Sequence, residues 1–515
     1  MNNPFLFSST RQDVPFLPYK REVESESIPL FSITDTVIKY LIDETKAFTQ
    51  LLQEWVKLSG MLVNPSVTEG YLSQWRWMND LITEGVKRTV ALYEGAELKQ
   101  RTDLLDADEN DRKGKQRRIL VLTWEFPPHI VGGLSRHVHG LTKALAKKGH
   151  EIHVITAGAG DSPVMEKING VSIHRVKPLS ENEEDFLLWI GGLNIALAEK
   201  AAALAEEYSF DCIHSHDWLV GAAAVSLKKH LQLPLVTTIH ATEYGRNNGI
   251  YTEMQRFIHQ KEKQLVEQSD QVVVCSDFMK GEVQKLFSAE EKKLVTIPNG
   301  IDCDGSEVLN RDLSDVKIDR DCRMIFSIGR MVKEKGFDTL IEAAAALKAK
   351  RINVYFIIAG KGPMLEEYRR RVIEMQLTDR VRFIGFIDEE KRNALLQLAE
   401  IAIFPSLYEP FGIVALEAMQ AGKPTIVSNT GGLKGIIQHL ETGMLIEPAG
   451  ENIVEGIITL LEDPDLAERI GKKGKELVLS RYNWDIAALE TVKLYDHILN
   501  AKKHHHLSAS FLKSH

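Results

Sequence analysis

Residues 119–145 read ILVLTWEFPPHIVGGLSRHVHGLTKAL, and this stretch decides the predicted fold. A short apolar and β-branched run at 119–123 predicts a buried strand, and Gly132 and Gly133 follow it in a turn. The apolar residues after that pair share one face of a helix: Leu134, Val138, Leu141 and Leu145. A strand, a glycine-rich loop and a helix form the repeating unit of a parallel α/β sheet.

The same unit recurs along the chain in two series. Strands of the first series are predicted at 119–123, 151–156, 171–176, 211–214, 235–240, 271–275 and 294–298. After an Asp-rich stretch at 302–321, a second series is predicted at 324–328, 354–359, 381–384, 401–404, 425–428 and 444–446. The fold class is therefore α/β, with two doubly wound Rossmann-like domains. Ligands of such sheets bind beyond the carboxyl ends of the strands, so we expect the site in a cleft between facing sheets.

Two helical patterns and a charged stretch precede the first strand. The first pattern ends at Gly60, the second follows the capping box Ser66-Val-Thr-Glu69, and charged residues dominate 101–118. We therefore divide the chain into four parts: a small helical N-terminal extension with a charged linker (1–113), a first Rossmann-like domain (114–305), a second (306–485), and a C-terminal helix with a polar tail (486–515).

Composition excludes several classes of protein. The 515 residues are 44% hydrophobic and 26% charged, which is ordinary for a globular protein and unlike a disordered or fibrous one. The formal net charge is −9, so the chain has no global positive field to attract nucleic acid. An anionic ligand must therefore be bound locally, and we expect no nucleic-acid partner.

The cysteines and the N-terminus predict a cytoplasmic protein. The four cysteines are widely spaced and form no framework typical of secreted proteins: Cys212, Cys275, Cys303 and Cys322. Residues 1–19 lack the pattern of a signal peptide, and no uninterrupted apolar run reaches about 18 residues, so no transmembrane segment is predicted. The sequence leaves the oligomeric state open.

Gly132 and Gly133 lie at the predicted start of a helix. Without Cβ atoms the backbone there can approach a ligand closely, and the unpaired N–H groups suit a phosphate or a sugar oxygen. A simple turn explains the pair equally well. The motif is neither the dinucleotide-binding fingerprint nor a P-loop, which counts against dinucleotide oxidoreductases and P-loop enzymes.

The second domain opens with a basic strand-to-helix loop. Gly329, Arg330 and Lys335 lie in it, and the next helix starts at Phe337. A guanidinium and an ammonium beside a helix N-terminus would stabilise a diphosphate, including the charge that grows on it as a leaving group. The alternative is a solvated basic turn.

Two carboxylates and a second Gly-Gly loop follow in this domain. Glu409 lies after a buried strand and Glu417 lies in the next helix, so both can project toward one cleft. Carboxylates are good acceptors for vicinal sugar hydroxyls. The segment Thr430-Gly431-Gly432-Leu433 then leads from a strand into a helix.

Histidines occur at two places that could suggest a metal. In His214-Ser-His216-Asp217-Trp218, neighbouring side chains of an extended strand end point in different directions, so we favour support of the cleft or of an acceptor over metal binding. The adjacent histidines at 504–506 are interpreted as solvated. The sequence therefore predicts no metal site.

In this order and spacing the motifs resemble the glycosyltransferases of GT-B fold, particularly family four and its glycogen and starch synthase relatives. The resemblance covers about residues 117–500 and rests on five elements: Pro127-Pro128 with Gly132-Gly133, Gly329-Arg330, Lys335-Gly336, the Glu409 to Glu417 motif, and Thr430-Gly431-Gly432. It implies that the first domain serves the acceptor and the second binds the donor.

The resemblance also assigns roles to residues. Arg330 and Lys335 would bind the donor diphosphate, Glu417 the ribose and Glu409 the transferred sugar. The backbone of Thr430-Gly431-Gly432-Leu433 would bind phosphate, with Gly132, Gly133 and Gly329 also on the donor side. His240 matches the position that the family places near the donor sugar, while His216 and Asp217 belong to the acceptor side. His240, Arg330, Lys335 and Glu409 are the expected catalytic set.

The implied reaction is retaining transfer of a hexose from a nucleotide-diphosphate sugar, without metal or further cofactor. UDP- or ADP-glucose and an α-glucan are the first candidates for donor and acceptor. The chain has Ile130-Val131 where typical bacterial glycogen synthases carry Lys-Thr, which leaves the donor preference open. A glycolipid, surface-glycan or small-sugar acceptor stays open, as do an epimerase and a non-catalytic sugar-nucleotide sensor.

Overall fold

The computed structural model describes residues 116–512, apart from 159, 161, 179–184, 303–312, 314–315 and 317–321. The predicted N-terminal helices, nearly all of the charged linker, and Cys303 lie outside the described residues. The chain divides into two compact units. The described part of one unit comprises stretches within Lys177–Phe210 and Ala222–Leu233, and the other unit contains both sheets.

The first sheet has eight strands in the order β3-β4-β2-β1-β5-β6-β7-β8. Their bounds are β1 Arg118–Leu122, β2 Glu151–Ala157, β3 Met165–Ile168, β4 Val171–Val176, β5 Cys212–His216, β6 Leu235–Ile239, β7 Gln271–Val274 and β8 Leu294–Thr296. Neighbours are parallel except β3 and β4, which are antiparallel. Strand β3 was not predicted, because three of its four residues are exposed and no apolar run marks it.

Six α-helices lie between these strands among the residues that the structure describes. They are α1 Gly133–Lys147, α2 Phe186–Glu207, α3 Gly221–Leu231, α4 Glu243–Asn247, α5 Glu253–Gln268 and α6 Asp277–Phe287. Thr252 and Gln255 close a capping box at the start of α5. In the unit that contains α2, the Asn194 side-chain oxygen accepts a hydrogen bond from the Ala223 backbone N–H at 2.9 Å. This bond fixes α2 to the start of α3.

Among the described helices, α2 alone is long and apolar enough to cross a membrane by length and composition. Half of its most apolar window is buried inside the protein. A buried core helix meets the same criteria, so the pattern is weak evidence for a membrane span.

The second sheet has six strands, all parallel, in the order β11-β10-β9-β12-β13-β14. Its strands are β9 Arg323–Ile328, β10 Val354–Ala359, β11 Val381–Gly385, β12 Ile401–Phe404, β13 Thr425–Ser428 and β14 Met444–Ile446. Its helices are α7 Phe337–Ala349, α8 Leu365–Glu374, α9 Glu389–Leu398, α10 Ile413–Gln420, α11 Leu433–Ile436, α12 Gly450–Glu462 and α13 Pro464–Arg481. The predicted second series of strands is thus present, and a buried apolar cluster around Phe337 and Phe356 forms its core.

The last helix, α14 Trp484–Leu512, returns to the first sheet. Trp484 and Tyr495 belong to the same buried cluster as Val138 of α1 and the strands β1 and β2. Just before α14, Ile301 forms a parallel bridge with Asn483. The chain therefore passes from the first sheet to the second and comes back at one place.

Candidate active site

Strand order brings the predicted functional loops together. In the second sheet, β9, β12 and β13 are consecutive, so the loops after them leave one edge side by side. In the first sheet, β1, β5, β6 and β7 are consecutive in the same way. The predicted site residues lie in these loops, at the end of β5 and in the helices α1, α10 and α11.

Lys335 and Glu409 come from different loops and are in contact. The Lys335 Nζ donates a hydrogen bond to Glu409 Oε2 at 2.6 Å, and the Ser406 hydroxyl donates to the same oxygen at 3.1 Å. The Glu409 residue is buried, whereas about a quarter of the Lys335 side chain is exposed. The pair therefore holds an ammonium and a carboxylate side by side in a fixed position.

Arg330 is held separately from this pair. Its guanidinium donates to Glu334 at 2.9 Å, and the side chain is 43% exposed. A Cβ on Gly329 would lie 3.2 Å from the ring of Phe337, a tight contact that a shift of a few tenths of an ångström would relieve. Arg330 thus offers a partly exposed cation in the loop after β9, and Gly329 lies against Phe337.

The second Gly-Gly loop supports Glu409. The Gly432 N–H donates to the Glu409 carbonyl at 2.8 Å, and the Thr430 N–H donates to the Ser428 carbonyl at 2.8 Å. A Cβ on Gly431 would lie 2.1 Å from the Glu409 carbonyl oxygen. Two of the four predicted phosphate donors are therefore already used within the loop, which leaves the N–H groups of Gly431 and Leu433 as the candidates for a ligand.

Glu417 is bound by two arginines that the sequence analysis did not identify. Arg136 Nη1 lies 2.9 and 3.1 Å from the two carboxylate oxygens, and Arg392 Nη1 lies 2.9 Å from one of them. Arg136 belongs to α1, so a residue from the first sheet's side contacts the predicted ribose carboxylate. Glu409 and Glu417 thus each have their own cationic partners.

The first Gly-Gly loop is filled by a carboxylate of the chain itself. Glu125 accepts hydrogen bonds from the backbone N–H groups of Val131 at 2.6 Å, Gly132 at 3.2 Å and Ser135 at 3.2 Å. Burial raises the pKa of Glu125 to about 7, although these backbone bonds act in the opposite direction. The Gly132 N–H that was expected to face a ligand therefore faces Glu125.

His240 is positioned by Asp217. The Asp217 carboxylate accepts a hydrogen bond from the His240 backbone N–H at 2.8 Å, and Asp217 holds a φ of 59° that non-glycine residues rarely adopt. Burial raises the pKa of Asp217 to about 6, against the nearby Arg246 charge that lowers it. The predicted acceptor-side residue thus orders the backbone of the predicted catalytic histidine.

The ring of His240 packs in a cluster of four histidine rings. His214 is held by Tyr495 at 2.6 Å and Thr238 at 2.7 Å, and its ring stacks on His216. Burial lowers the pKa of His214 and His240 to about 3 and that of His216 well below its usual value. His137, the fourth ring, was missed by the sequence analysis, because it lies on α1 without a motif of its own.

The loop that carries Glu409 also contacts the first sheet's loops. The Tyr408 hydroxyl donates to Glu282 at 2.8 Å and accepts from the Thr242 backbone N–H at 3.3 Å. The Ser276 hydroxyl donates to the Pro410 carbonyl at 2.6 Å. The two groups of predicted site residues therefore lie in adjoining loops.

Two Rossmann-like sheets whose loops adjoin in this way are the arrangement of the GT-B fold. Residues 131–304 match the profile described as Glycosyltransferase Family 4, and residues 311–477 match that of Glycosyl transferases group 1. An uncharacterized glycosyltransferase of Methanocaldococcus jannaschii is 37% identical over 386 residues, covering 73% of this chain and 97% of that protein. The chain belongs to glycosyltransferase family four.

Two further similarities are informative. Glycogen synthase of Mycobacterium tuberculosis is 31% identical over 394 residues, covering 73% of this chain and 94% of that protein. The structure of sucrose-phosphate synthase from Thermosynechococcus elongatus superposes with a TM-score of 0.66 at 25% identity, covering 75% of this chain and all of that one. The predicted fold and the resemblance to the glycogen and starch synthase relatives are confirmed.

Proposed function

We propose that this glycosyltransferase is a retaining hexosyltransferase that uses a nucleotide-diphosphate glucose as donor. The contact between Lys335 and Glu409 carries the proposal. It places a cation suited to a diphosphate beside a carboxylate suited to sugar hydroxyls. A donor lying across this pair would have its diphosphate at Lys335 and its hexose at Glu409, so the bond to be broken would lie between them.

The proposed reaction needs no protein nucleophile. The bond from the anomeric carbon to the diphosphate breaks, and a bond to the acceptor oxygen forms on the same face of the sugar. A diphosphate oxygen takes the acceptor's proton. Lys335 and Arg330 stabilise the charge that grows on the departing diphosphate, which favours the transition state over the ground state.

Glu417 and His240 complete the donor site in this proposal. Glu417, held between Arg136 and Arg392, would accept hydrogen bonds from the ribose hydroxyls. His240, whose backbone is fixed by Asp217, would face the transferred hexose. The N–H groups of Gly431 and Leu433 would contact phosphate.

We further propose that transfer needs no metal and no cofactor besides the nucleotide sugar. Lys335 and Arg330 supply the positive charge that a divalent cation supplies in other enzymes. Turnover is therefore expected to continue in excess EDTA. The buried thiols of Cys212 and Cys275 suit the reducing conditions of the cytoplasm, which is the proposed location.

The acceptor we favour is an α-glucan, because one relative is named glycogen synthase. UDP- and ADP-glucose are the donors to test first, since Ile130 and Val131 replace the Lys-Thr pair of typical bacterial glycogen synthases. A glycolipid or a surface glycan is the alternative acceptor. A non-catalytic sensor of sugar nucleotides is the alternative of a different class.

A donor and acceptor screen tests these alternatives. The purified chain is incubated with UDP-, ADP- or GDP-glucose, with and without a maltooligosaccharide, and nucleotide release and glycan products are measured. We expect one donor to be turned over, with an α-linked product by NMR that retains the donor configuration. A β-linked product would exclude retention. Donor binding without turnover in the presence of glycan and glycolipid acceptors would favour the sensor.

A further inference from the structure

Three histidines from three separate elements of the first sheet's side converge at one point. His137 comes from α1, His216 ends β5 and His240 follows β6. Their ring centroids are separated by 5.3 Å (His137 to His216), 4.6 Å (His137 to His240) and 5.4 Å (His216 to His240). One ring nitrogen from each lies within 4.8 Å of those of the other two.

These separations are close to those of a tetrahedral metal site. With metal–nitrogen bonds of about 2.0–2.1 Å, ligand nitrogens in such a site lie about 3.4 Å apart and the ring centroids about 5.2 Å apart. His216 Nδ1 lies 3.1 Å from His240 Nε2, which is near that nitrogen spacing. Small movements of the three rings would therefore bring their nitrogens to an ion.

The hydrogen bond of His137 leaves its other nitrogen ready to bind. His137 Nδ1 lies 2.7 Å from the side-chain oxygen of Asn299, which can only accept, so Nδ1 carries the proton. His137 Nε2 then presents a lone pair, and it is buried with no hydrogen-bond partner among the described residues. A carbonyl oxygen that orients a histidine in this way is the usual support of a metal ligand.

His214 and Asp217 lie next to the cluster but are occupied elsewhere. Both ring nitrogens of His214 are hydrogen-bonded, to Tyr495 and Thr238. One carboxylate oxygen of Asp217 accepts the His240 backbone N–H. The three ligands therefore come from separate elements of the chain, and they differ from the set that the sequence motif His214-Ser-His216-Asp217 suggests.

We propose that His137, His216 and His240 form a binding site for a borderline transition-metal ion of the Zn²⁺ class, and that its occupancy inhibits glycosyl transfer. Neutral imidazoles suit Zn²⁺, Co²⁺, Ni²⁺ and Cu²⁺, whereas Mg²⁺ and Ca²⁺ take oxygen ligands. Inhibition follows because the ion would hold His240. The inhibition part of the proposal therefore rests on the role proposed for His240. The metal-binding part of the proposal is independent of that role.

Metal binding is tested first without reference to activity. The full chain is stripped with EDTA, and Co²⁺ and Zn²⁺ are titrated with detection by visible absorption and by metal analysis after dialysis. Because the histidines at 504–506 are a possible second site, the measurements use a variant with all three replaced by Ala as the background. We expect one ion per chain and a tetrahedral Co²⁺ spectrum.

The variants identify the ligands. His137→Gln is expected to weaken Zn²⁺ binding by at least tenfold, whereas His139→Gln, on the same helix and outside the cluster, is expected to leave it unchanged. His216→Gln is a second ligand variant for the binding measurement if His137→Gln does not fold. The absence of bound ion, or binding that survives both ligand substitutions, would overturn the proposal.

Donor turnover gives the second readout. Zn²⁺ is expected to inhibit it reversibly, Mg²⁺ is expected to have no effect, and His137→Gln is expected to retain basal turnover while losing the inhibition. If Zn²⁺ binds through the histidines without inhibiting, the binding site stands and the role proposed for His240 is wrong. If no donor is turned over at all, the proposed function fails while the binding result remains valid.

Discussion

The two loops contain the same Gly-Gly dipeptide, but the backbone conformation and the surroundings of the glycines differ. Gly132 has an extended backbone with a φ of −158°, and a Cβ there would meet nothing within 4 Å. Gly431 has a φ of +56°, and a Cβ there would collide with a backbone oxygen at 2.1 Å. The Gly132 loop is filled by Glu125, while the Gly431 loop supports Glu409.

The difference shows that a glycine pair after a strand does not by itself define a phosphate site. In the first loop a carboxylate already occupies the N–H groups. In the second, the glycines allow the loop to pack on the backbone that carries a predicted catalytic residue. In the proposed donor site, the cations and the packing around Glu409 are therefore better indicators than the glycines.

The largest effect is expected when one glycine of each loop is replaced by alanine and the two variants are compared. Gly431→Ala is expected to lower the free energy of unfolding by about 2–4 kcal/mol, because it adds a collision to an unfavourable positive φ. Gly132→Ala is the matched control and is expected to change it by less than about 1 kcal/mol. Urea denaturation of both variants measures this, and equal losses would contradict the comparison.

The next effect concerns the cation beside Glu409. Lys335→Ala is expected to lower kcat by about ten- to several hundred-fold, because a charge-assisted bond to the leaving diphosphate is lost. Donor binding is expected to change less, and Arg330→Ala is expected to act in the same direction. Steady-state kinetics and donor titration measure both quantities.

Lys333→Ala is the control for this prediction, since Lys333 lies in the same short turn. It is expected to keep kcat near that of the unmodified protein. Circular dichroism should show all three variants folded. A folded Lys335→Ala with unchanged kcat would place the diphosphate elsewhere.

The carboxylate under the first loop predicts a pH effect on stability. The pKa of Glu125 is raised from 4.5 to about 7, so between these values the folded protein holds a proton that the unfolded chain has released. The free energy of unfolding should therefore fall as pH rises. The contribution of Glu125 to this fall is about 1–3 kcal/mol between pH 5 and 8. Glu125→Gln should remove that part of the decline, and parallel pH profiles of the two proteins would contradict the assignment.

The smallest effect is expected at the arginine that α1 contributes to Glu417. About a third of the Arg136 side chain is exposed, and Arg392 remains beside Glu417 when Arg136 is removed. Arg136→Ala is therefore expected to change the donor KM by no more than about fivefold, in line with a partly exposed ion pair. Donor kinetics at low and high salt measure this. If Arg136→Ala changes the donor KM more than Lys335→Ala does, the first domain would be part of the principal donor site.

Much of the fold was predictable because buried strands are short apolar runs between helical stripes. Strand β3 was not, since its exposed residues carry no such pattern. Glu125 lies within the stretch 119–145, but its hydrogen bonds depend on how the following loop turns back toward its carboxylate. Local sequence does not encode that direction.

The site was predictable only as far as its motifs extend. Lys335 and Glu409 each stand in a recognisable loop, and the order of β9 and β12 in the sheet brings them together. Arg136, Arg392 and His137 stand in helices among other polar residues. Their contacts with Glu417 and Asn299 join residues more than 20 positions apart in sequence. Such contacts are set by tertiary packing.

The return of the chain at Asn483 joins the two segments that connect the sheets. The outgoing and incoming segments are joined where Ile301 bridges Asn483 and where the Ile301 N–H donates to the Tyr482 carbonyl at 3.0 Å. Gly300 lies against Trp484 so closely that a Cβ would come within 2.3 Å of its backbone nitrogen. The two segments that connect the sheets are thereby fastened to each other, so a substitution at Gly300 would disturb the outgoing and the returning connection together.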